Sequence, residues 1–338
     1  MKKGKVSENI ISRSVIKTIK YKNRSYIMTG AALGSDASVN AVGTVMGTAG
    51  AGLMFENEKL WYGSELLNFD VKRAFFNAVN NVAAQCGEPK AVSVNLVLPR
   101  KTKEQDIKSL MRMISGICER EKIEIAGGDT EITDNVKSPI INFTAFGEYM
   151  PEEFTDIKSV AEEGMDIVIS GYIAASGTAA LVHLKRDALL ERFQGSYLEK
   201  ALALENCMNN VPASVRACHY GVRIMHDLSR GGIYSGLWEL AEKTGKGVEA
   251  VMDCIPVRQE TIEVCERYNL NPYKLLSNGA MLMAVRNGGE LCEYLNQREI
   301  HAVVIGRLTN NNDKVILKND EKRYIEPPRG DQLYVLMN

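Results

Sequence analysis

The chain lacks several features that would place it in a particular class. It has no apolar run near 18 residues, so no membrane-spanning helix is expected. Its start, MKKGKVSENII, is basic but lacks the apolar stretch of a signal peptide. Seven cysteines, at 86, 118, 207, 218, 254, 265 and 292, are scattered, odd in number and free of any Cys-x-x-Cys pair. They fit reduced thiols in a cytoplasmic protein better than a disulfide framework. Four histidines, at 183, 219, 226 and 301, give no zinc-ligand spacing with them. Neither sign of charge dominates: 41 basic residues face 42 acidic ones, for a net charge of −1. A nucleic-acid binder that relies on a general basic field is therefore not expected. There is no Walker A loop, because no glycine-rich stretch ends in Gly-Lys-Ser/Thr. No fixed-period repeat of the solenoid kind occurs.

What is present is an ordinary globular composition, 45% apolar, in 338 residues. That length suggests two domains. Strand and helix patterns alternate. Val71, Ala74, Phe75, Ala78, Val79, Val82 and Ala83 recur at helical spacing, predicting a helix over 70–86 with Asp70 as N-cap. Gly87 and Pro89 end it. AVSVNLVLP (91–99) alternates as a strand. Thr102 and Gln105 form a capping box for a second helix with Ile107, Leu110, Met111, Ile114, Ile117 and Cys118 on one face. IEIA (123–126) predicts a strand that stops at Gly127-Gly128, and 138–149 predicts another. The polar, acidic stretch 150–164 marks the boundary between a domain over 1–150 and a second over 160–338. In the second, strands are expected at 165–173, 222–227, 247–253, 280–285 and, last, 302–308. Helices are expected over about 176–220, 231–244 and 257–268. Met281, Leu282 and Met283 read as sheet core, and Arg329-Gly330-Asp331 as a chance tripeptide.

Three stretches carry candidate chemistry. In the first, IEIAGGDTEIT (123–133), a strand runs into two glycines and exposes Asp129 and Thr130. A carboxylate at the carboxyl end of a strand, with backbone that can approach a ligand, suits Mg²⁺ held together with substrate phosphates. Alone, the tetrapeptide is a weak signal and reads first as an ordinary turn. In the second, HDLSRGG (226–232), Ser229 is a good N-cap. Gly231 and Gly232 would leave backbone N–H groups open to an anion at the positive end of the following helix. Arg230 could add a bidentate phosphate contact, and a plain capped helix is the alternative. In the third, Asp36 sits in ALGSDASVNAVG (32–43), ahead of the glycine-rich GTVMGTAGAG (43–52), for which a hairpin connection is the alternative.

In order, the motifs are Gly-Ser-Asp-Ala-Ser-Val (34–39), Asn-Asn-Val-Ala-Ala-Gln-Cys-Gly-Glu-Pro (80–89), Gly-Gly-Asp-Thr (127–130), His-Asp-Leu-Ser-Arg-Gly-Gly (226–232), Ser-Asn-Gly-Ala-Met-Leu (277–282) and Val-Ile-Gly (304–306). Over nearly the whole chain this resembles the aminoimidazole ribonucleotide (AIR) synthetase superfamily. That group includes thiamin-monophosphate kinase, selenophosphate synthetase and the hydrogenase-maturation dehydratase HypE. The opening GKVS and the tail IEPPRGDQLY look most like the HypE-related branch. The resemblance implies an α/β (α+β) fold of two domains. The N-terminal domain would form a β-barrel with a second subunit of a homodimer, and a C-terminal α+β domain would lie against it. ATP and Mg²⁺ would bind in the cleft, with phosphoryl transfer to an unknown small molecule or an amide-like group, which could belong to a protein. By position, Asp36 and Asp129 match metal-binding and catalytic acids. Gly127, Gly128, Thr130, Asp227, Ser229, Arg230, Gly231, Gly232 and Asn81 match the nucleotide site.

The chain also departs from that pattern. Gly63 stands where the family has an acid, and Glu65 lies two positions on, which on a strand would face the other side. Asn81 replaces a second acid. The chain ends in Val-Leu-Met-Asn, without the terminal cysteine on which HypE enzymes carry their carbamoyl group. Cys292, the last cysteine, reads as helical. An alternative is thus a nucleotide-binding or scaffold homologue with weakened catalysis, acting in protein maturation.

Overall fold

The computed structural model describes residues 27–29, 37–40, 43–51, 64–319, 321–328 and 330–336, with the single positions 12, 17 and 62. Asp36, Gly63 and Arg329 lie outside the described residues. The first unit contains β1 (Ile27–Thr29), β2 (Ser38–Asn40), β3 (Thr44–Ala51), helix α1 (Glu65–Ala83), β4 (Gly87–Pro99), α2 (Glu104–Glu121), β5 (Glu124–Thr133) and β6 (Ile140–Tyr149). Its sheet runs β1-β2-β3-β6-β4-β5. Neighbours are antiparallel except β4 and β5, which are parallel. Alternation in β4 and β6 puts Val92, Val94, Leu96, Leu98, Ile141, Phe143 and Ala145 on one face. Against that face α1 lays Val71, Ala74, Phe75, Ala78 and Val82, all at most 1% exposed. Phe75 meets Phe143 edge-on, ring centroids 5.7 Å apart.

The local boundaries differ from the expected ones for identifiable reasons. Helix α1 starts at Glu65 because the Ser64 hydroxyl accepts from Leu67 N at 3.2 Å. Asp70 is inside the helix, buried and paired with Arg73 at 2.9 Å, so it is not the N-cap. Glu65, expected beside a strand, opens this helix. The capping box of α2 uses Lys103 as cap, and the Asp106 carboxylate accepts its N–H at 2.8 Å. Thr102 instead bonds the Tyr62 hydroxyl at 2.7 Å.

The second unit contains α3 (Ile157–Val160), β7 (Asp166–Ser170), α4 (Ala175–Leu190), α5 (Gly195–Leu202), α6 (Val211–Tyr220), β8 (Ile224–Asp227), α7 (Gly232–Thr244), β9 (Gly247–Val251), α8 (Gln259–Arg267), β10 (Met281–Val285), α9 (Gly288–Asn296), β11 (Ala302–Thr309), β12 (Lys314–Lys318) and β13 (Glu321–Tyr324). Its sheet runs β13-β12-β9-β11-β7-β10-β8, so 302–308 is not the last strand. Met281, Leu282 and Met283 are fully buried in it, and Cys292 is helical as expected. No helix among the described residues is long and apolar enough to cross a membrane.

The two units share a core. One apolar cluster runs from beneath the first sheet through α1 to Ala179, Val182, Leu198, Leu275, Leu276 and Leu333. Helix α1 therefore has a sheet on one side and the second unit on the other. On that second side it carries polar residues. Asn80, fully buried, donates to Met208 O at 2.9 Å and accepts from Asn210 N at 3.1 Å. Truncation would leave both backbone groups buried without partners. Asn80→Ala is expected to lower stability by about 2–4 kcal/mol in urea titration, and a loss below 1 kcal/mol on the same scale would show that the two units do not depend on this contact.

Candidate functional site

The chemistry-bearing turn lies between β8 and α7. Asp227 ends β8, only 4% exposed, and accepts from the Asn210 amide at 3.2 Å. Ser229 is not the N-cap of α7. Gly231, at φ 84°, is the cap residue. Gly232 follows at φ 64°, where a Cβ would stand 2.6 Å from Tyr273 O and 2.8 Å from Leu275 O, so glycine is required for both shape and space. The Ser229 carbonyl accepts from Gly232 N at 3.3 Å and from Ser277 N at 3.1 Å. That second bond ties the turn to the Ser277-Asn278-Gly279 loop.

The amides expected to stay open to an anion are not open. Gly231 N donates to Asp331 Oδ2 at 2.6 Å, and Gly232 N is used by Ser229. Asp331 also accepts from Leu333 N at 2.9 Å and from the backbone of Leu276. The third residue of the chance tripeptide is thus a structural anion at the positive end of α7. Its burial pushes its pKa up to about 6, against the pull of the backbone N–H groups and Arg230.

Around this turn a polar seam joins the two units. The Asn278 amide donates to Asn77 on α1, and the Ser176 hydroxyl at the start of α4 bonds Leu276 O at 3.2 Å. The Ser277 hydroxyl accepts from Ala174 N at 2.8 Å. Burial, and after it the charge of Arg73 on α1, lowers the pKa of Arg230. Asp227, Ser229, Arg230, Gly231 and Gly232 are therefore brought together, facing the Arg73–Asn77–Asn80 side of α1.

The remaining predicted residues are elsewhere. Strand β5 does not stop at the glycines; it continues to Thr133, so Asp129 is mid-strand rather than at a strand end. Its register partner is Asn95, which pairs with Asn142, placing Asp129 on the face turned away from α1. Gly128, at φ 152°, is needed because a Cβ there would overlap Val94 O. Gly127, Gly128, Asp129 and Thr130 are all exposed along the edge of the sheet. The Asp129 carboxylate accepts from Thr130 N at 2.8 Å. Asn81 instead packs over β3, where a Cβ on Gly47 would stand 3.0 Å from its own Cβ. Strand β5 is three positions from β3 in the sheet, or about 14 Å at ordinary strand spacing. One chain does not bring Asp129 to Asn81, nor to the seam. Among the described residues no group of three or more His, Cys, Asp and Glu could hold a metal ion. Asp129 alone fits Mg²⁺ only as one ligand among others.

Sequence reasoning missed Arg73, Asn77 and Asn210, and read Asp331 as chance. Arg73, Asn77 and Asn80 recur at i, i+4 and i+7 on α1, a polar stripe hidden beside the stronger apolar one. Nothing local marks Asp331. A cavity of about 450 Å³ lies further along the seam, between Glu88, Lys90, Glu121, Lys122, Asn209 and Val211. It includes none of the predicted site residues.

Two α/β units meeting along a buried polar seam, with a glycine-flanked acidic turn facing it, define a two-domain mixed α/β protein. The chain belongs to the AIR synthase-related family: the N-terminal domain of that family matches residues 68–149 and the C-terminal domain matches 162–318. A Methanocaldococcus jannaschii protein named for hydrogenase expression and formation is 27% identical over 268 residues, covering 77% of this chain and 76% of that one. Carbamoyl dehydratase HypE of Bradyrhizobium diazoefficiens is 24% identical over 213 residues, covering 63% of this chain and 60% of its own length. The fold is that of the HypE–HypF complex structure (TM-score 0.73, 18% identity, 94% of this chain and 99% of that one). It is also that of AaThiL complexed with AMPPCP and TMP (TM-score 0.72, 19% identity, 96% of each).

The Asp331 carboxyl titrates higher when docked, about 6, than its ordinary 3.8. The docked segment therefore takes up a proton more readily, so the stability it contributes is full below the ordinary value and lost as pH rises through 6. Comparing the melting temperature of wild type with Asp331→Asn from about pH 7.5 down to about pH 5 should show the wild type gaining on the variant. A constant difference across that range would contradict the burial of this carboxyl.

Proposed function

We propose that this protein is an ATP-dependent phosphoryl-transfer enzyme of the HypE and ThiL kind, acting on an unknown small molecule or an amide-like group. The observation that carries the proposal is the convergence of Asp227, Ser229, Arg230 and the glycine turn on the Arg73–Asn77–Asn80 side of α1, across a seam built from both family domains. Support comes from relatives solved as HypE in complex with ATP and as AaThiL with AMPPCP and TMP. The match to HypE relatives spans about 60% of their length, so their whole activity comes here only as a proposal.

The residues would act by position and charge, which is what phosphoryl transfer demands. Asp36 and Asp129 would offer carboxylates to Mg²⁺, which neutralises phosphate charge when bound. Asn81 would add a neutral oxygen. Arg230 would meet a phosphate oxygen. Gly127, Gly128 and Thr130 would let the backbone come close to the nucleotide. The γ-phosphoryl group would pass to an acceptor oxygen, leaving ADP.

Since one chain holds Asp129 away from the Asn81 corner, we place the complete site in a homodimer, where a second copy's β5 edge supplies its acid. The face of the first sheet turned away from α1 supports this. It exposes Met46 and Ile140, at 43% and 40%, with no helix among the described residues laid over it. Closure of two such sheets into a barrel would bury these side chains. We place the protein in the cytoplasm. A second proposal is a scaffold that kept the fold and lost turnover, favoured by the neutral Asn81 and by Asp331 occupying the Gly231 amide. A protein partner, as in the HypE–HypF complex, would then be the site's purpose.

Calorimetric titration with ATP, with and without Mg²⁺, separates the two. The enzyme proposal expects Mg²⁺-dependent binding that Asp129→Ala weakens by about tenfold, or about 1.4 kcal/mol; no binding in either condition leaves the scaffold. Sedimentation of Ile140→Glu is expected to show monomers where the wild type is a dimer, and a monomeric wild type defeats the shared-site arrangement.

A further inference from the structure

We propose that Arg73 and Arg230 form a binding site for the oxyanion of a phosphate group on the acceptor substrate, which assigns Arg230 to the acceptor instead of to the nucleotide it was expected to meet. Arg73 is fully buried, yet only its Nε is engaged, by Asp70 at 2.9 Å. Its Nη1 and Nη2 have no hydrogen-bond partner among the described residues. The Nε of Arg230 also has none, although most of that side chain is buried. Burial first, and then the charge of Arg73, lower the pKa of Arg230. Three donor nitrogens on two like charges are thus gathered without an acceptor, at the seam where both family domains meet.

A purely structural arginine pair would not be built this way. Buried charges are ordinarily paired and hydrogen-bonded, and the guanidinium fork matches the oxygens of a phosphate. The nearby carboxylates do not fill the gap. Asp331 is engaged by the amides of Gly231, Leu333 and Leu276, and Asp70 meets the Nε side of Arg73. A phosphate would satisfy the free donors and screen one cation from the other. Arg73 and Asn81 are eight residues apart on one helix, about 12 Å along its axis. That spacing is a small substrate's length from the Asn81 corner, so the anion belongs to the acceptor rather than to the transferring group. This last assignment rests on the nucleotide proposal above.

Access follows from the same geometry. Arg73 touches no solvent, and the cover next to Arg230 is the C-terminal segment, with Leu333 fully buried in the shared core and Tyr334 within electrostatic range of Arg230. Entry of a phosphate therefore requires residues 330–336 to lift.

The test uses the full chain and inorganic phosphate as probe, with chloride at matched ionic strength as control. Phosphate is expected to raise the melting temperature of the wild type in a concentration-dependent way, by a few degrees well above its Kd. The paired replacement Asp70→Asn with Arg73→Met removes both charges of the ion pair together, and should abolish that rise while AMPPCP binding persists. An equal rise in both proteins, or none in the wild type, overturns the site. A rise that disappears at saturating AMPPCP assigns the oxyanion to the nucleotide and overturns its placement on the acceptor. Should the paired variant not fold, hydrogen exchange on the wild type decides: phosphate must alter exchange at both 70–77 and 330–336, and no change there rejects the proposal. Failure of AMPPCP to bind in any arm counts against the nucleotide proposal alone.

Discussion

Helix α1 has two masters. Its apolar stripe is bound to the first sheet, and on its polar stripe, Arg73, Asn77 and Asn80, the two asparagines are bound to the second unit. A buried amide such as Asn80 tolerates little displacement, because each partner it loses is left without water as a substitute. The relative position of the two sheets, and hence everything that converges at the seam, follows from that one helix being satisfied on both sides. The continuous apolar cluster through α4 and Leu333 supplies adhesion; the polar stripe supplies the register.

The β8–α7 turn illustrates how such a seam is held. Its glycines were expected to serve a ligand. Gly232 is a glycine because the carbonyls of Tyr273 and Leu275 press on it, and Gly231 gives its N–H to Asp331. A carboxylate from a hundred residues away thus meets the positive end of α7, in a position of the kind that anions favour at helix N-termini. Ligand binding at this turn, where it occurs, has to contend with an internal anion.

The first sheet presents the opposite situation. Its outer face and its β5 edge carry polar and apolar side chains without cover among the described residues, and Asp129 stands on that face. The seam is finished within one chain, whereas the acid-bearing edge has no cover among the described residues. The homodimer proposed above would set a second copy against that edge.

Much of the fold was legible locally. Alternation in β4 and β6 and the 3.6-residue spacing on α1 and α2 follow from side-chain burial, so the sequence alone determined element types, the two-unit α/β class and, through six ordered motifs, the family. Boundaries shifted where a cap competed, as Ser64 displaced Asp70 and Asp106 displaced Gln105. Of the site, the sequence located the Asp227–Gly232 turn because glycine and acid leave a local signature. It could not show that Asp331 would close that turn, that Arg73 would be buried with free donors, or that β5 would run on past Gly128 and carry Asp129 three strands from Asn81. Those outcomes depend on strand order and on which segments cross over each other, and periodicity along one segment carries no information about the partner that will be set beside it. Only the tertiary structure decided them.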